Sequence, residues 1–266
     1  MGYEGLEIVT WVQINVRKAA TDPVYVKEIK AKLEKYNLGC WAIEEMKYTA
    51  KAAQAMGVNV VTGFMGSSIW KMWHSFPQTT EEMVEKGYEE IKNIWSPIFD
   101  VFDECGVKFA LEVHPTEIAF DYYTTKKLLE VFDYRDTLGI NFYPSHLIWQ
   151  GVNPGILLYD FADKVYHVHI KDTKINLNGR NGILGSHITF GNYCRGWNFV
   201  SPGHGNVDFD EIIRILNEKG YNGTLSIEWE DSGMERVFGA TEACEFTKKI
   251  NFSPSDVAFD DALKTD

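Results

Sequence analysis

Short runs rich in β-branched and aromatic residues alternate with longer runs of helical spacing along this chain, and that alternation most constrains its fold. The pattern predicts strands over residues 5–11, 39–43, 58–64, 107–114, 139–143, 165–170 and 225–229. It predicts helices over 24–36, 44–56, 80–104, 124–133 and 208–219. In the first of these helices Val26, Ile29, Leu33 and Tyr36 recur at helical spacing. Gly57 is placed to stop the second helix, Pro97 to divide the third, and Asp208 to cap the last. Strands separated by single helices imply a parallel sheet, whose strands are covered on both faces and therefore read as apolar throughout. The 266 residues, 45% of them hydrophobic, suffice for one core, and no linker divides residues 1–266.

Such a sheet is either open and doubly wound or closed into a (β/α)8 barrel. No GxGxxG or phosphate-binding glycine loop follows the first strand, which argues against a nucleotide-binding open sheet. Glu112 with His114, His146, His169 and Glu228 fall at or just past the C-terminal ends of four different predicted strands. A barrel gathers those ends on one face. Residues 2–7 (GYEGLE) also echo 220–228 (GYNGTLSIE), both reading as a helix exit, a tight turn and a strand with a glutamate. Only seven strands are legible. The expectation is that this chain lacks the barrel's first strand and a loop after Ile43. Residues 173–207 form an unusually long connection, expected to be a lid or a partner contact.

The formal charge of −12 disfavours nucleic acid and anionic membrane as partners, because no local basic patch offsets it. The apolar runs are too short to span a bilayer. The four cysteines form no CxxC pair, as expected of reduced thiols in a cytoplasmic protein rather than a disulfide framework.

Four segments carry chemistry. In LEVHP (111–115) a glutamate ends an apolar strand, where it needs a partner, a proton or a metal. NFYPSH (141–146) ends a strand with a proline followed by His146. YHVHIKD (166–172) sets His167 and His169 on one strand face, followed by Lys171. SIEWED (226–231) brings Glu228. Carboxylates and imidazole from separate strands suit Mn²⁺, Zn²⁺, Co²⁺, Fe²⁺ or, less well, Mg²⁺. Trp70 in the aromatic segment 67–74 and Trp149, with Arg180 and His187 in the long connection, are candidates for binding a sugar or a flat substituent.

These motifs, with SPGHGNVDF (201–209), resemble the xylose-isomerase-like barrel superfamily, in particular its sugar phosphate isomerase/epimerase branch. The resemblance runs from Gly2 to about residue 261. It implies Glu112, His169 and Glu228 as ligands of a divalent metal, Mn²⁺ foremost, with the two glutamates as an acid/base pair and His146 as substrate contact or alternate base. It also implies a small sugar substrate, with His114 and Lys171 among the substrate contacts, and an oligomer. The family's fourth ligand is an aspartate where this chain has Tyr143, and a phenol is a poor ligand near neutral pH. Segments 179–187 (GRNGILGSH) and 192–199 (NYCRGWNF) are similar to the large subunit of C-glycoside deglycosidases, which implies a keto-glycoside lyase working with a small β-rich subunit. A non-catalytic sugar-binding barrel is the third reading, and Tyr143 is its best support.

Overall fold

The computed structural model describes residues 2–8, 14–35, 39–43, 46–69, 79–185 and 188–255, with backbone alone at 6–8, 39–43 and 46. Strands β1 (Gly5–Ile8) and β2 (Gly39–Ile43) pair in parallel. Strands β3 (Val60–Gly63), β4 (Lys108–Glu112), β5 (Leu138–Phe142), β6 (Val165–Ile170) and β9 (Leu225–Ile227) pair in that order, also in parallel. Helices α1 (Val16–Thr21), α2 (Pro23–Lys35), α3 (Met46–Met56), α4 (Glu81–Cys105), α5 (Tyr122–Val131), α6 (Pro144–Ile148), α7 (Pro154–Asp160), α8 (Phe209–Glu218) and α9 (Arg236–Ile250) form the rest of the barrel. Strands β7 (Asp172–Ile175) and β8 (Trp197–Val200) form an antiparallel hairpin inside the long connection, which the sequence reading left without structure.

Among the described residues the barrel has seven parallel strands, as the sequence count predicts. The outer edge of β9 carries no strand partner among them. A cavity of about 1500 Å³ reaches down to this edge, lined by Gly2–Gly5 on one side and Tyr221–Leu225 on the other. Gly2 and Gly220 both have positive φ (84° and 70°), so the sequence echo corresponds to a shared left-handed turn before β1 and before β9. β2 ends at Ile43 and α3 begins at Met46, and the junction where a loop is expected to be lacking falls on residues 44–45, outside the described set.

The core explains the strand pattern. Every residue of β5 is buried, whereas all three of β9 are half-buried at the open edge. Between α4 and β4, Trp95 packs against Phe99 (5.3 Å between centroids) and Phe109 (4.9 Å), and Phe102 meets Phe109 edge-on. Each such ring contributes about 1.5–3 kcal/mol on burial. The same packing overrides the predicted break: α4 runs unbroken through Pro97. Pro97 is exposed, so the carbonyl it leaves without a donor faces water while Trp95 and Phe99 hold the buried face. No helix among the described residues is long and apolar enough to cross a membrane.

Candidate active site and metal centre

Glu112 is the last residue of β4, and its side chain is only 14% exposed. His114, two residues on, takes the same side. Its Nδ1 is hydrogen-bonded to Thr116 Oγ1 at 2.8 Å, which turns Nε2 away from that bond. After β5 the chain turns at Tyr143 into α6. Pro144 opens this helix at a position where its missing N–H costs nothing, and the short turn carries His146 back toward β4. His146 Nε2 lies 3.0 Å from Glu112 Oε1, and the His114 and His146 rings meet edge-on at 4.7 Å. Burial pushes the His146 imidazole down to about 3, reinforced by the Lys171 charge. Burial and then His146 lower His114, also to about 3. Both rings are neutral near neutral pH, the state a metal ligand requires.

The opposite half of the site is built from β6 and β9. His169 Nδ1 is 2.8 Å from Asn141 Oδ1 on β5, and His167 Nε2 is 2.9 Å from Ser226 Oγ on β9. Past the strand, Lys171 donates to Glu228 Oε1 at 2.5 Å and reaches Glu230 at 3.1 Å; its side chain is 4% exposed. Tyr143 stands between the two halves, stacked on His169 (4.2 Å, 11°) and on His146 (4.9 Å, 29°). Its hydroxyl donates to Glu228 Oε2 at 2.6 Å. Burial pushes the Glu228 carboxyl up, but the Lys171 charge, with hydrogen bonds from Lys171 and Tyr143, outweighs it and holds the group at about 2.

The donor geometry selects where a cation fits. Among the described residues, ligand atoms of Glu112, His114 and His146 come within 4.8 Å of one another. Two donors about 2.0–2.2 Å from one ion stand roughly 3–3.5 Å apart, and the Glu112–His146 spacing of 3.0 Å falls in that range. One carboxylate and two neutral imidazoles form a set suited to zinc or a similar ion. This trio shares Glu112 with the set that the family resemblance implies, Glu112, His169 and Glu228; both oxygens of Glu228 are engaged, by Tyr143 and Lys171.

Glu112, His114, Tyr143, His146, Trp149, His169, Lys171 and Glu228 all line one large cavity, so the structure brings these candidates together. Arg180 is different: it is exposed, in a turn where the Asn178 side chain accepts from the Arg180 and Asn181 N–H groups, and it does not line the cavity. Trp70 and His187 lie outside the described residues. The sequence reading missed Arg195, Trp197 and Phe199, which form the wall of the site on the β7–β8 hairpin. The alternating aromatics of WNFV (197–200) were the available signal. It also missed why SPGHGNVDF takes its form. Asp172, buried at the start of β7, accepts from the backbone N–H of Thr173, Gly203, Gly205 and Val207. A side chain on Gly205 would run into that carboxylate.

The model of the xylose isomerase-like TIM barrel family matches residues 1–250. The chain belongs to this family. It is 28% identical to the uncharacterized protein YfiH of Bacillus subtilis over 181 residues, 66% of this chain and 57% of that protein. It is 33% identical to an inosose dehydratase of Clostridium botulinum over 104 residues, 39% of this chain and 34% of the enzyme. The chain thus spans about half or less of the length of these curated relatives. Among solved structures it resembles the 3-keto-D-glucoside 4-epimerase YcjR of E. coli, with a TM-score of 0.68, 14% identity, and coverage of 93% of this chain and 90% of that one. It also resembles the IOLI protein with a bound zinc atom, with a TM-score of 0.67, 18% identity, and coverage of 94% and 88%. These two likenesses show the fold.

Proposed function

We propose that this protein is a sugar-modifying enzyme that moves a proton next to the carbonyl of a keto-sugar, as an isomerase or epimerase. The observation that carries this reading is the convergence of two carboxylates in opposite electrostatic settings, with neutral imidazoles, at the C-terminal ends of parallel strands around one cavity. The similarity to an inosose dehydratase and the shared fold with a 3-keto-D-glucoside 4-epimerase support it.

Glu112, His114 and His146 would hold a divalent cation, which supplies polarisation of the substrate's carbonyl and hydroxyl oxygens. Glu112 is assigned as the proton acceptor, because its carboxylate ends β4 at the cavity with the neutral His146 imidazole 3.0 Å from Oε1. Glu228 stays an anion throughout and fixes Lys171 on one side and Tyr143 on the other. The Tyr143 hydroxyl, resting against Glu228, is the donor on the opposite face. Return of the Glu112 proton to the neighbouring carbon gives isomerisation; delivery of the Tyr143 proton to the other face gives epimerisation, after which solvent reprotonates the Tyr143 phenolate and removes the proton held by Glu112.

The test is turnover of inosose, 3-keto-glucoside and free ketoses by the metal-loaded protein. Glu112→Ala should lower kcat by at least about 10³-fold with the fold retained. Wild-type activity in that variant would end the assignment. A lyase acting on 3-keto-glycosides is the second reading, supported by the aromatic wall beside His146. Release of free aglycone from a 3-keto-C-glycoside, without epimerised sugar, would favour it.

A further inference from the structure

The wall of the cavity contributed by the hairpin holds a cation that none of the chemistry above uses. Arg195 is 3% exposed and lines the cavity. Its Nε donates to the Trp197 carbonyl at 3.2 Å, and its Nη1 donates to the carbonyls of Gly185 (3.0 Å) and Ile188. All three acceptors are neutral, Nη2 is not among the donors, and no carboxylate pairs with Arg195 among the described residues. Burying a cation without a counter-ion is costly, and a buried guanidinium normally faces an anion.

The guanidinium sits over two rings, 4.1 Å from the Phe190 centroid and 4.7 Å from that of Trp197. From there a continuous aromatic surface leads to the reacting groups. Trp197 stacks on Trp149 at 4.6 Å and 4°, Phe199 stacks on Phe190 at 5.3 Å, and Phe199 meets the His146 ring edge-on at 5.6 Å. A ligand whose sugar lies at His146 and Glu112 would therefore carry any flat substituent over Phe199 and Trp197 toward Arg195.

We infer that Arg195 and the rings of Phe190, Trp197 and Phe199 form a second subsite for a planar, negatively charged group, a carboxylate or phenolate conjugated to a ring. The subsite names the substituent that the keto-sugar substrate carries and so rests on the proposed function. The planar fork of arginine matches a carboxylate in two parallel bonds, and the exposed Phe190 ring beside it offers apolar surface to the ligand ring, whereas Trp149 and Lys171 already cover faces of Trp197 and Phe199. A clamp that only held the carbonyls of Gly185 and Ile188 would leave no such preference.

The test is binding of 4-hydroxybenzoate against its neutral isostere 4-hydroxybenzamide to the full chain, by calorimetry or ligand-observed NMR, with no turnover required. Wild type should bind the benzoate at least about tenfold tighter. Arg195→Met should bring the ratio near one while leaving benzamide affinity in place. Phe190→Leu should weaken both ligands alike. Arg195→Lys should keep a reduced preference, and it decides the matter with the wild-type ratio if the methionine variant does not fold. Equal binding of the two ligands by wild type, or an unchanged ratio in Arg195→Met, overturns the subsite. Those outcomes leave the Glu112 turnover test untouched, so the two readings fail separately.

Discussion

The two carboxylates of the site occupy matching places at the ends of β4 and β9 but in opposite surroundings. Glu112 meets His146 and His114, neutral rings with lone pairs to offer. Glu228 meets an ammonium and a phenol, which occupy both its oxygens. The first half offers imidazole and carboxylate lone pairs and is suited to receive a cation; the second holds the Lys171 ammonium against its carboxylate. A barrel can thus carry the same residue type at two strand ends and give each a different task through its neighbours.

The largest predicted effect breaks the first half. His146→Ala should lower zinc or manganese affinity by at least about a hundredfold, measured by metal content after dialysis, because one of three donors is lost. Glu228→Gln should leave metal content close to wild type; equal metal loss in both variants would erase the distinction. The next effect falls on the second half. Lys171→Met leaves Glu228 without its ammonium and should cost about 2 kcal/mol in denaturant unfolding. The double variant with Glu228→Gln should recover part of that loss, and strict additivity would remove the ion pair from the account.

A third prediction concerns pH. His114 and His146 are held near 3 in the fold against 6.5 when unperturbed, so below pH 6.5 the unfolded chain gains protons that the folded chain refuses. Metal-free protein should lose stability steadily from about pH 6.5 toward pH 3, and His114→Asn should flatten the slope of Tm against pH. An unchanged slope would show that another group controls it. The smallest effect on stability is expected from Tyr143→Phe, although loss of the proposed proton donor should abolish epimerisation. It removes one hydrogen bond to Glu228, should cost about 1 kcal/mol, and should leave metal binding intact.

Much of the barrel was legible because periodicity is local. The strands at 39–43 and 165–170 and the helix start after Asp208 fall where the pattern puts them. Helices α6 and α7, of five and seven residues, are too short to display a period, and hairpin β7–β8 depends on pairing across a loop of more than twenty residues. The sequence reading named Arg180 and passed over Arg195, which lines the cavity, for a related reason. Both lie in one polar, glycine-containing segment, and only the path of the loop turns one outward and the other onto the rings.

The order of residues determined that strands end in acids and imidazoles, since strand periodicity and apolar patterning are properties of the neighbouring chain. It also determined that a tyrosine, Tyr143, follows the fifth predicted strand. Tertiary structure alone decided who meets whom. Parallel register and the turn at Pro144 bring His146 to Glu112, and Lys171 to Glu228 across β6 and β9. The physical reason is that hydrogen bonds and charge pairs act over a few ångströms, so partners 34 and 57 residues apart acquire their roles only when the barrel closes the distance between them.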